Sequence, residues 1–256
     1  MRTLLAALAV AVLLAVVAIV VSSSPSSPRL CGKQARSVAD GAFVVQNDEW
    51  NSTARECIAY SAGDASFSVA STSISMPSDG APGGYPSLSD GCFYLSSCTD
   101  GSGLPRLVAS LTQGTVTSDW STTQPAGGRY DVAYDIWFDT TRQDSGGPDG
   151  LEMMIWLGHH GGAQPLGSPQ GTVSVDGQSY LVWYGVGSED SVPTVSYEAV
   201  RPVSQVSGLD IDAFIQSSVD YGYLQPYWYL INVQAGFELW QGGQGLATNA
   251  FSVHVR

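Results

Sequence analysis

The sequence predicts an all-β protein, on three observations. Of its 256 residues, 44% are hydrophobic and only 13% are charged, so the chain has enough apolar material for a sizeable core. It contains 29 glycines, and turn residues separate short runs of β-branched and aromatic residues throughout. In the most regular run, residues 130–140, apolar and polar side chains alternate as on a strand with one buried face.

The individual strands follow from the same alternation between turn residues. Asp176-Gly177 predicts a two-residue hairpin turn, and the short segment 142–150 predicts that the strands on either side of it are antiparallel neighbours. The predicted strands are Ala42–Gln46, Glu56–Tyr60, Phe67–Ala70, Tyr130–Thr140, Leu151–Leu157, Gly171–Val175, Gln178–Tyr184, Thr194–Ala199, Trp228–Trp240 and Asn249–Val255.

One short helix is expected among the strands, from Asp210 to about Val219. Ile211, Phe214 and Ile215 recur at helical spacing. Asp210 is placed to cap the first turn, and Gly222 lies beyond the last. We expect this helix to pack on the outside of the sheets.

The N-terminal segment predicts export. Arg2 precedes an unbroken apolar run over residues 4–21, and a Ser/Pro-rich linker occupies residues 22–30. The run fits a cleaved secretory signal, with an uncleaved membrane anchor as the alternative because 18 residues is the lower limit for a span. In either case residues 31–256 form one domain that is secreted or lies outside the cytoplasm.

The charge of the chain excludes some partners. A formal net charge of −13 and a pI near 4.3 argue against nucleic acid and anionic lipid, whose phosphates must be neutralised by Lys and Arg. A neutral partner is expected instead.

The cysteines predict two disulfides, since four cysteines in an exported chain favour bridges and permit three pairings. Cys92 and Cys98 are close enough in sequence to close one loop, which leaves Cys31 with Cys57. A metal site is not expected, because the spacings typical of zinc ligands are absent from the sequence. No cofactor is expected either.

Acidic residues stand on the non-core faces of three predicted strands. In the central stretch 151–157, alternation separates Glu152, Met154 and Trp156 from an apolar face. Asp135, with Asp131 and Trp137, shares the polar face of residues 130–140, and a suitable register would bring it beside Glu152. The corresponding face of residues 228–240 carries Asn232, Gln234, Gly236, Glu238 and Trp240.

Two carboxyl groups on one sheet face suit the cleavage of a bond between sugars. One group attacks or stabilises the anomeric carbon, and the other donates a proton to the leaving oxygen. The alternative is that these acids are solvated side chains on an open sheet. Trp50 has two readings as well, either a stacking platform for a sugar ring or a partly buried surface residue.

Several motifs in order resemble glycoside hydrolase family 12. The resemblance runs through most of the chain from Cys31 to Val255 and includes the placement of the cysteines. Its motifs are Tyr134-Asp135-Ile136-Trp137, Glu152-x-Met154-Ile155-Trp156, Pro165-Leu166-Gly167-Ser168, Gly171-Thr172-Val173, Gly177-Gln178-Ser179 and Gln234-x-Gly236-x-Glu238-x-Trp240.

The resemblance implies a β-jelly-roll sandwich of two curved antiparallel sheets, one of them forming a cleft for a β-1,4-glucan, and hydrolysis with retention. It implies that Glu152 is the nucleophile, Glu238 the general acid/base, and Asp135 the acid that hydrogen-bonds the nucleophile. Trp50 would stack on a sugar on the non-reducing side. Met154 and Gln234 would share the cleft face with the glutamates.

One position departs from the family pattern. The family usually has Asn two residues before this tryptophan, contacting the sugar, and this chain has Asp48. An ionised Asp accepts hydrogen bonds but cannot donate them, so binding at that subsite is expected to differ. The expected activity is a secreted, monomeric endo-β-1,4-glucanase. The alternatives are a xyloglucanase or mixed-linkage glucanase, and a non-catalytic carbohydrate-binding sandwich.

Overall fold

A computed structural model describes residues 27–94, 97–143, 146–187 and 192–256. It confirms the predicted all-β class, with two sheets and one α-helix. The expected signal or anchor, residues 1–21, and most of the expected linker lie outside the described residues. Within the described residues, no helix is long and apolar enough to span a membrane.

The described elements are seventeen strands and helix α1, besides two single turns of 3-10 helix. They are β1 Arg29–Cys31, β2 Gln34–Val38, β3 Phe43–Asn47, β4 Glu56–Tyr60, β5 Phe67–Thr72, β6 Ser87–Gly91, β7 Arg106–Leu107, β8 Val116–Thr123, β9 Arg129–Asp139, β10 Leu151–His160, β11 Ser168–Val175, β12 Gln178–Val186, β13 Pro193–Ala199, β14 Gln205–Asp210, α1 Ile211–Asp220, β15 Tyr229–Gly236, β16 Leu239–Gln241 and β17 Ala247–Val255.

The strands form a smaller and a larger sheet. The smaller has the order β1-β4-β5-β17-β8-β14, and the larger has the order β11-β12-β13-β10-β9-β15-β6-β3-β2, with β16 beside β9 and β7 beside β15. As predicted, β9 and β10 are antiparallel neighbours. One pair departs from the antiparallel pattern: β13 runs parallel to β10, because the β11–β12 hairpin intervenes between these two strands in the chain.

The main core lies against the predicted apolar faces of the central strands. Val132, Ile136 and Phe138 of β9 have no exposed surface, and neither do Met153 and Ile155 of β10. Burying such a side chain stabilises the fold by about 1.5–3 kcal/mol relative to leaving it in water. The opposite face of these strands is therefore the one available for a ligand.

The strand predicted over residues 228–240 is broken. β15 ends at Gly236 and β16 begins at Leu239. Gly236 lies so close to β6 that a Cβ there would be 2.4 Å from the carbonyl oxygen of Pro86, and the Phe237 N–H donates to the same oxygen at 3.2 Å. Glu238 therefore lies in the break between two strands, where its backbone is free to bond elsewhere.

Helix α1 occupies the predicted residues, but the expected side-chain cap is wrong. Asp210 precedes the helix without capping it, because its carboxylate instead accepts a hydrogen bond from the Gly114 N–H at 3.2 Å. Phe214 packs edge-on against Tyr180 of β12 and Tyr197 of β13, with ring centroids 5.0 and 5.2 Å apart. The helix is thereby fixed to the sandwich by aromatic contacts.

Two disulfides stabilise the N-terminal part of the fold. Cys31 is joined to Cys57, linking β1 to β4, and Cys92 is joined to Cys98, which is the pairing that the sequence spacing favours. β1 begins at Arg29, two residues inside the expected linker, and Leu30 is only 2% exposed. The folded domain therefore begins before Cys31.

Candidate active site

The strand register places five side chains in one row across the larger sheet, on the face turned away from the main core. Residues that pair directly across neighbouring strands point to the same side of a sheet. Each member of the row is paired with the next one. We call this set the floor row: Gln234, Asp135, Met154, Ser196 and Trp183.

Glu152 lies next to the floor row on β10. It pairs with Thr194 of β13, whose hydroxyl donates a hydrogen bond to the Glu152 Oε2 at 2.5 Å. Its carboxyl group is also within hydrogen-bond contact of the Asp135 carboxyl. The structure therefore brings together the two acids that the sequence analysis expects to be neighbours.

Burial raises the pKa of both acids in this first pair, but not equally. The pKa of Asp135 is well above its ordinary value, because the side chain is only 6% exposed and because the Glu152 charge adds to the effect of burial. For Glu152, the hydrogen bonds from Thr194 and Asp135 oppose the effect of burial on the pKa. The pKa of Asp135 is therefore raised more than that of Glu152, and this order favours the proton on Asp135.

A second acid pair joins Glu238 to Asp131. The Glu238 N–H donates to the Asp131 Oδ1 at 3.0 Å, and the Asp131 N–H donates to the Glu238 carbonyl oxygen at 3.1 Å. The two carboxyl groups are also in hydrogen-bond contact, and Asp131 has no exposed surface. The sequence analysis gave Asp131 no role, because its contact with Glu238 depends on the break between β15 and β16.

The environment of Glu238 suits a proton donor. Burial raises its pKa to about 7, the negative charge of Glu152 adds to this rise, and the hydrogen bond from Asp131 opposes it. The pKa of Asp131 is itself well above the ordinary value, chiefly because of burial and then because of the Glu238 charge. The charge of Glu152 thus acts on Glu238, whose pKa of about 7 allows it to carry a proton near neutral pH.

Gln234 is fixed by neighbours that the sequence analysis missed. The Gln46 amide donates to the Gln234 Oε1 at 2.9 Å, and the Ser87 hydroxyl donates to the same oxygen at 3.3 Å. The Gln234 Nε2 is buried without a partner in the described part of the protein, so it is a free donor for a ligand. Gln46 lies 188 residues from Gln234 in the chain, and no local sequence signal could have linked the two.

Trp50 and Asp48 lie beyond the end of β3, near the edge of the larger sheet. Trp50 is 44% exposed, and Lys33 donates to its carbonyl oxygen at 3.2 Å. Asp48 is half-buried, and burial raises its pKa. Its charge contributes to the raised pKa of Asp135, which places it within electrostatic range of the floor row.

Trp156 shares a strand face with Glu152, as the alternation predicts, but its indole is not exposed to a ligand. Trp156 is 1% exposed and Trp240 is 5% exposed, and they pack with Met154 in a small apolar cluster on this side of the sheet. The indole N–H of Trp156 donates to the Met154 sulfur at 3.5 Å, and that of Trp240 donates to the Gly80 carbonyl oxygen at 2.6 Å. These two indoles therefore pack beside the site and do not present a surface to a ligand. Met154 itself is 4% exposed.

Residues 27–94, 97–143, 146–187 and 192–256 contain no group of three or more His, Cys, Asp or Glu side chains arranged to hold a metal ion. Two glutamates close enough to interact electrostatically, on the ligand-facing side of a β-sandwich, are the arrangement that a glycoside hydrolase needs.

Comparison with known proteins agrees with this class. The model of the family described as "Glycosyl hydrolase family 12" matches residues 41–256. The chain belongs to glycosyl hydrolase family 12 and is a glycoside hydrolase of this endoglucanase family.

Its relatives include both cellulases and xyloglucanases. The chain is 32% identical over 155 residues to a probable cellulase Cel12b of Mycobacterium tuberculosis, which covers 60% of this chain and 99% of the relative. It is 35% identical to a probable xyloglucan-specific endo-β-1,4-glucanase A of Aspergillus fumigatus, over 49% of this chain and 52% of the relative. The structure of endoglucanase cel12A from Rhodothermus marinus has a TM-score of 0.83 and 38% identity, covering 90% of this chain and 99% of that one.

Proposed function

We propose that this protein is a secreted, retaining endo-β-1,4-glucanase that cleaves internal linkages of a cellulose-type β-glucan. The observation that carries the proposal is the pair of coupled glutamates, one held ionised by Thr194 and Asp135 and the other with a pKa raised to about 7. These are the two protonation states that a double displacement requires at its start. The resemblance to the family supports the same roles.

In the first step Glu152 acts as the nucleophile. One of its carboxylate oxygens attacks the anomeric carbon, and the glycosidic carbon–oxygen bond breaks. Glu238 gives its proton to the departing oxygen, so the leaving sugar departs as a neutral alcohol. Asp135 keeps its proton and its hydrogen bond to Glu152, which holds the nucleophile in position while its negative charge is lost.

In the second step Glu238, now ionised, acts as a base. It removes a proton from a water molecule, whose oxygen attacks the anomeric carbon and displaces Glu152. Two inversions at the same carbon give net retention. Loss of the negative charge on Glu152 in the intermediate lowers the pKa of Glu238, and its return in the second step raises that pKa again.

The polar groups around the floor row support a sugar polymer as the substrate. Asp135, Ser196 and Gln234 each have a buried side-chain oxygen or nitrogen with no hydrogen-bond partner among the described residues. A buried group of this kind is stabilised when a ligand supplies the missing partner. Hydroxyl groups can both donate and accept, so a neutral glucan meets the needs of all three.

A substrate panel tests the activity. We expect release of reducing sugar from carboxymethylcellulose. Xyloglucan is a competing substrate because a relative named as xyloglucan-specific matches the chain, and mixed-linkage β-glucan is the other substrate that the sequence leaves open. If xyloglucan is hydrolysed faster than carboxymethylcellulose, the protein is a xyloglucanase and not a cellulase. Binding to these polymers without any release of reducing ends would favour the non-catalytic sandwich.

The stereochemistry is tested separately. Proton NMR of a freshly started reaction on cellopentaose should show the β-anomer of the new reducing end before mutarotation produces the α-anomer. An initial α-anomer would contradict a covalent intermediate on Glu152.

Secretion is supported by the apolar run at residues 4–21 and by the two disulfides, which persist in oxidising compartments. We expect the mature protein in the culture medium of an expressing cell. The mass of its N-terminal peptide distinguishes a cleaved signal from a retained anchor.

A further inference from the structure

Trp183 is a member of the floor row to which the proposed function gives no role. It lies on β12, opposite Ser196 of β13, which in turn is opposite Met154 of β10. Neighbouring strands are about 4.8 Å apart, so the Trp183 backbone is roughly 10 Å from the strand that carries Glu152. Trp50 follows β3, on the opposite side of the catalytic pair in the strand order.

The indole of Trp183 is held by a hydrogen bond and an ion pair. Its Nε1–H donates to the Glu198 Oε2 at 2.8 Å, and the other Glu198 oxygen is 3.0 Å from the His159 Nε2. The hydrogen bond from His159 lowers the pKa of Glu198, which favours the ionised acceptor. The ring is therefore fixed through its N–H, while part of its surface stays exposed.

This arrangement differs from that of Trp156 and Trp240, which are covered almost completely. An indole whose N–H is already bonded and whose ring remains partly exposed can present an apolar face to a ligand. The adjacent Ser196 hydroxyl is buried and has no partner among the described residues. The floor row thus continues past Glu152 with an unpaired hydroxyl and then an aromatic ring.

We propose that Trp183 is the stacking floor of a sugar subsite on the reducing-end side of the cleaved bond, and that Glu198 and His159 are its positioning residues. The inference rests on the proposed glucanase function, and the side follows from the expectation, implied by the family resemblance, that Trp50 stacks on the non-reducing side. A sugar at this subsite lies with its apolar face on the indole, and the buried Ser196 separates this ring from Met154 in the floor row. The catalytic pair is then flanked by a tryptophan on each side.

The first test compares a long with a short leaving group in Trp183→Ala. An aryl β-cellobioside has a single ring on the leaving side, whereas cellopentaose places sugars over Trp183. We expect the ratio of kcat/KM for cellopentaose to kcat/KM for the aryl cellobioside to fall about tenfold, as expected for the loss of one buried apolar face. Trp183→Phe, which keeps an aromatic ring, should lower this ratio less.

The second measurement asks which glycosidic bond of cellopentaose the enzyme cleaves. With cellopentaose labelled by ¹⁸O at its reducing end, Trp183→Ala should shift cleavage toward the reducing end, because sugars beyond the cleaved bond no longer gain from stacking. Glu198→Ala should shift cleavage in the same direction, whereas Glu198→Gln keeps an acceptor for the indole N–H and should preserve the wild-type choice.

Two results would overturn the subsite. One is an unchanged choice of bond in Trp183→Ala. The other is an equal loss of kcat/KM on both substrates in Trp183→Ala and in Trp183→Phe. That result is expected if Trp183 only stabilises the fold. A wild-type protein that hydrolyses neither substrate would instead refute the glucanase function itself, and the subsite with it.

Discussion

Two clusters of buried acidic residues in this protein differ in whether their carboxyl groups are hydrogen-bonded. In the acid pairs of the candidate site, Glu152 receives hydrogen bonds from Thr194 and Asp135, and Glu238 is bonded to Asp131 through both backbone and side chain. Near the end of β3 lies a second group, which we call the edge cluster: Asp48, Glu49 and Glu56. Glu56 has no exposed surface, and neither of its carboxyl oxygens has a hydrogen-bond partner in the described structure.

The difference shows two consequences of burying acids. Burial raises the pKa of Glu56 to about 8, and the charges of Glu49 and Asp48 add to this rise with no hydrogen bond opposing them. In the acid pairs of the candidate site burial also raises pKa values, but hydrogen bonds to Glu152 and Glu238 oppose this rise. The first arrangement makes stability depend on pH, and the second suits the proton donor and the nucleophile that we propose.

The largest expected loss of activity comes from substituting Glu238 or Glu152, the two glutamates to which we assign the chemistry. Glu238→Gln removes the proton donor and should lower kcat on cellopentaose by about 100- to 10,000-fold, the usual range for general acid–base catalysis. Glu152→Gln removes the nucleophile and should lower it at least as much. Steady-state kinetics measure both, and circular dichroism checks that the fold is kept.

The leaving group distinguishes the two roles. An aryl cellobioside with an acidic phenol needs little protonation, so Glu238→Gln should retain far more of its first-step rate on this substrate than on cellopentaose. Glu152→Gln should be inactive on both. The opposite pattern would exchange the two assignments, and wild-type rates in either variant would remove that residue from the mechanism.

The edge cluster should appear in the pH dependence of stability. The pKa of Glu56 is about 8 in the folded protein and near 4.5 when unfolded, so its proton stabilises the fold fully below pH 4.5, and this stabilisation is lost as the pH rises through 8. The free energy of unfolding should therefore fall between pH 5 and 8. Glu56→Gln, a neutral replacement, should increase it by up to about 4 kcal/mol at pH 8.

Urea denaturation at pH 5 and pH 8 measures this effect. The variant and the wild type should have nearly equal stability at pH 5, where Glu56 is protonated in the folded protein. Burial also raises the pKa values of Asp90 and Asp212 to about 6. The free energy of unfolding of the variant should therefore still fall between pH 5 and pH 8, but by less than that of the wild type. A wild-type protein equally stable at both pH values would show that Glu56 is ionised in the folded state.

The sequence predicted the parts of the site that depend on local alternation. Alternation separated Glu152 and Asp135 from the buried faces of their strands, and the short connection predicted that those strands pair. It could not predict the contact between Asp131 and Glu238, because that contact requires the strand break caused by the close approach of Gly236 to Pro86. The hydrogen bond from Gln46 to Gln234 could not be predicted either. It depends on β3 and β15 lying on either side of β6 in the sheet.

Helix capping shows another limit of local reasoning. Asp210 stands at the position where a cap is expected, but a backbone N–H from a distant loop competes for its carboxylate. Trp183 shows the same limit on the larger sheet. Its alternation with Leu181 gives no sign that Glu198 on the next strand accepts its N–H, and only the register between β12 and β13 reveals it.

Substitutions of Asp131 test whether this residue carries a proton beside Glu238, as we propose for Asp135 beside Glu152. If Asp131 carries a proton, Asp131→Asn keeps a donor and should leave activity within a few-fold of wild type. Asp131→Ala removes the partner of the Glu238 N–H and should lower kcat/KM by about 10- to 100-fold, the loss expected for a hydrogen bond to a charged group. The alkaline limb of kcat/KM should lie near pH 7, the pKa of Glu238. A limb moved by more than about one pH unit in Asp131→Asn would show that Asp131 is ionised instead.

Thr194→Val is expected to have the smallest effect, and it isolates one of the two hydrogen bonds on the nucleophile. Valine keeps the shape of threonine but cannot donate to the Glu152 Oε2, so the pKa of Glu152 should rise, because the hydrogen bond from Thr194 lowers it in the wild type. The acid limb of kcat/KM should move to higher pH, while activity well above that limb falls only a few-fold because Asp135 still holds Glu152. An acid limb that stays in place would mean that the Asp135 proton alone sets the ionisation of the nucleophile.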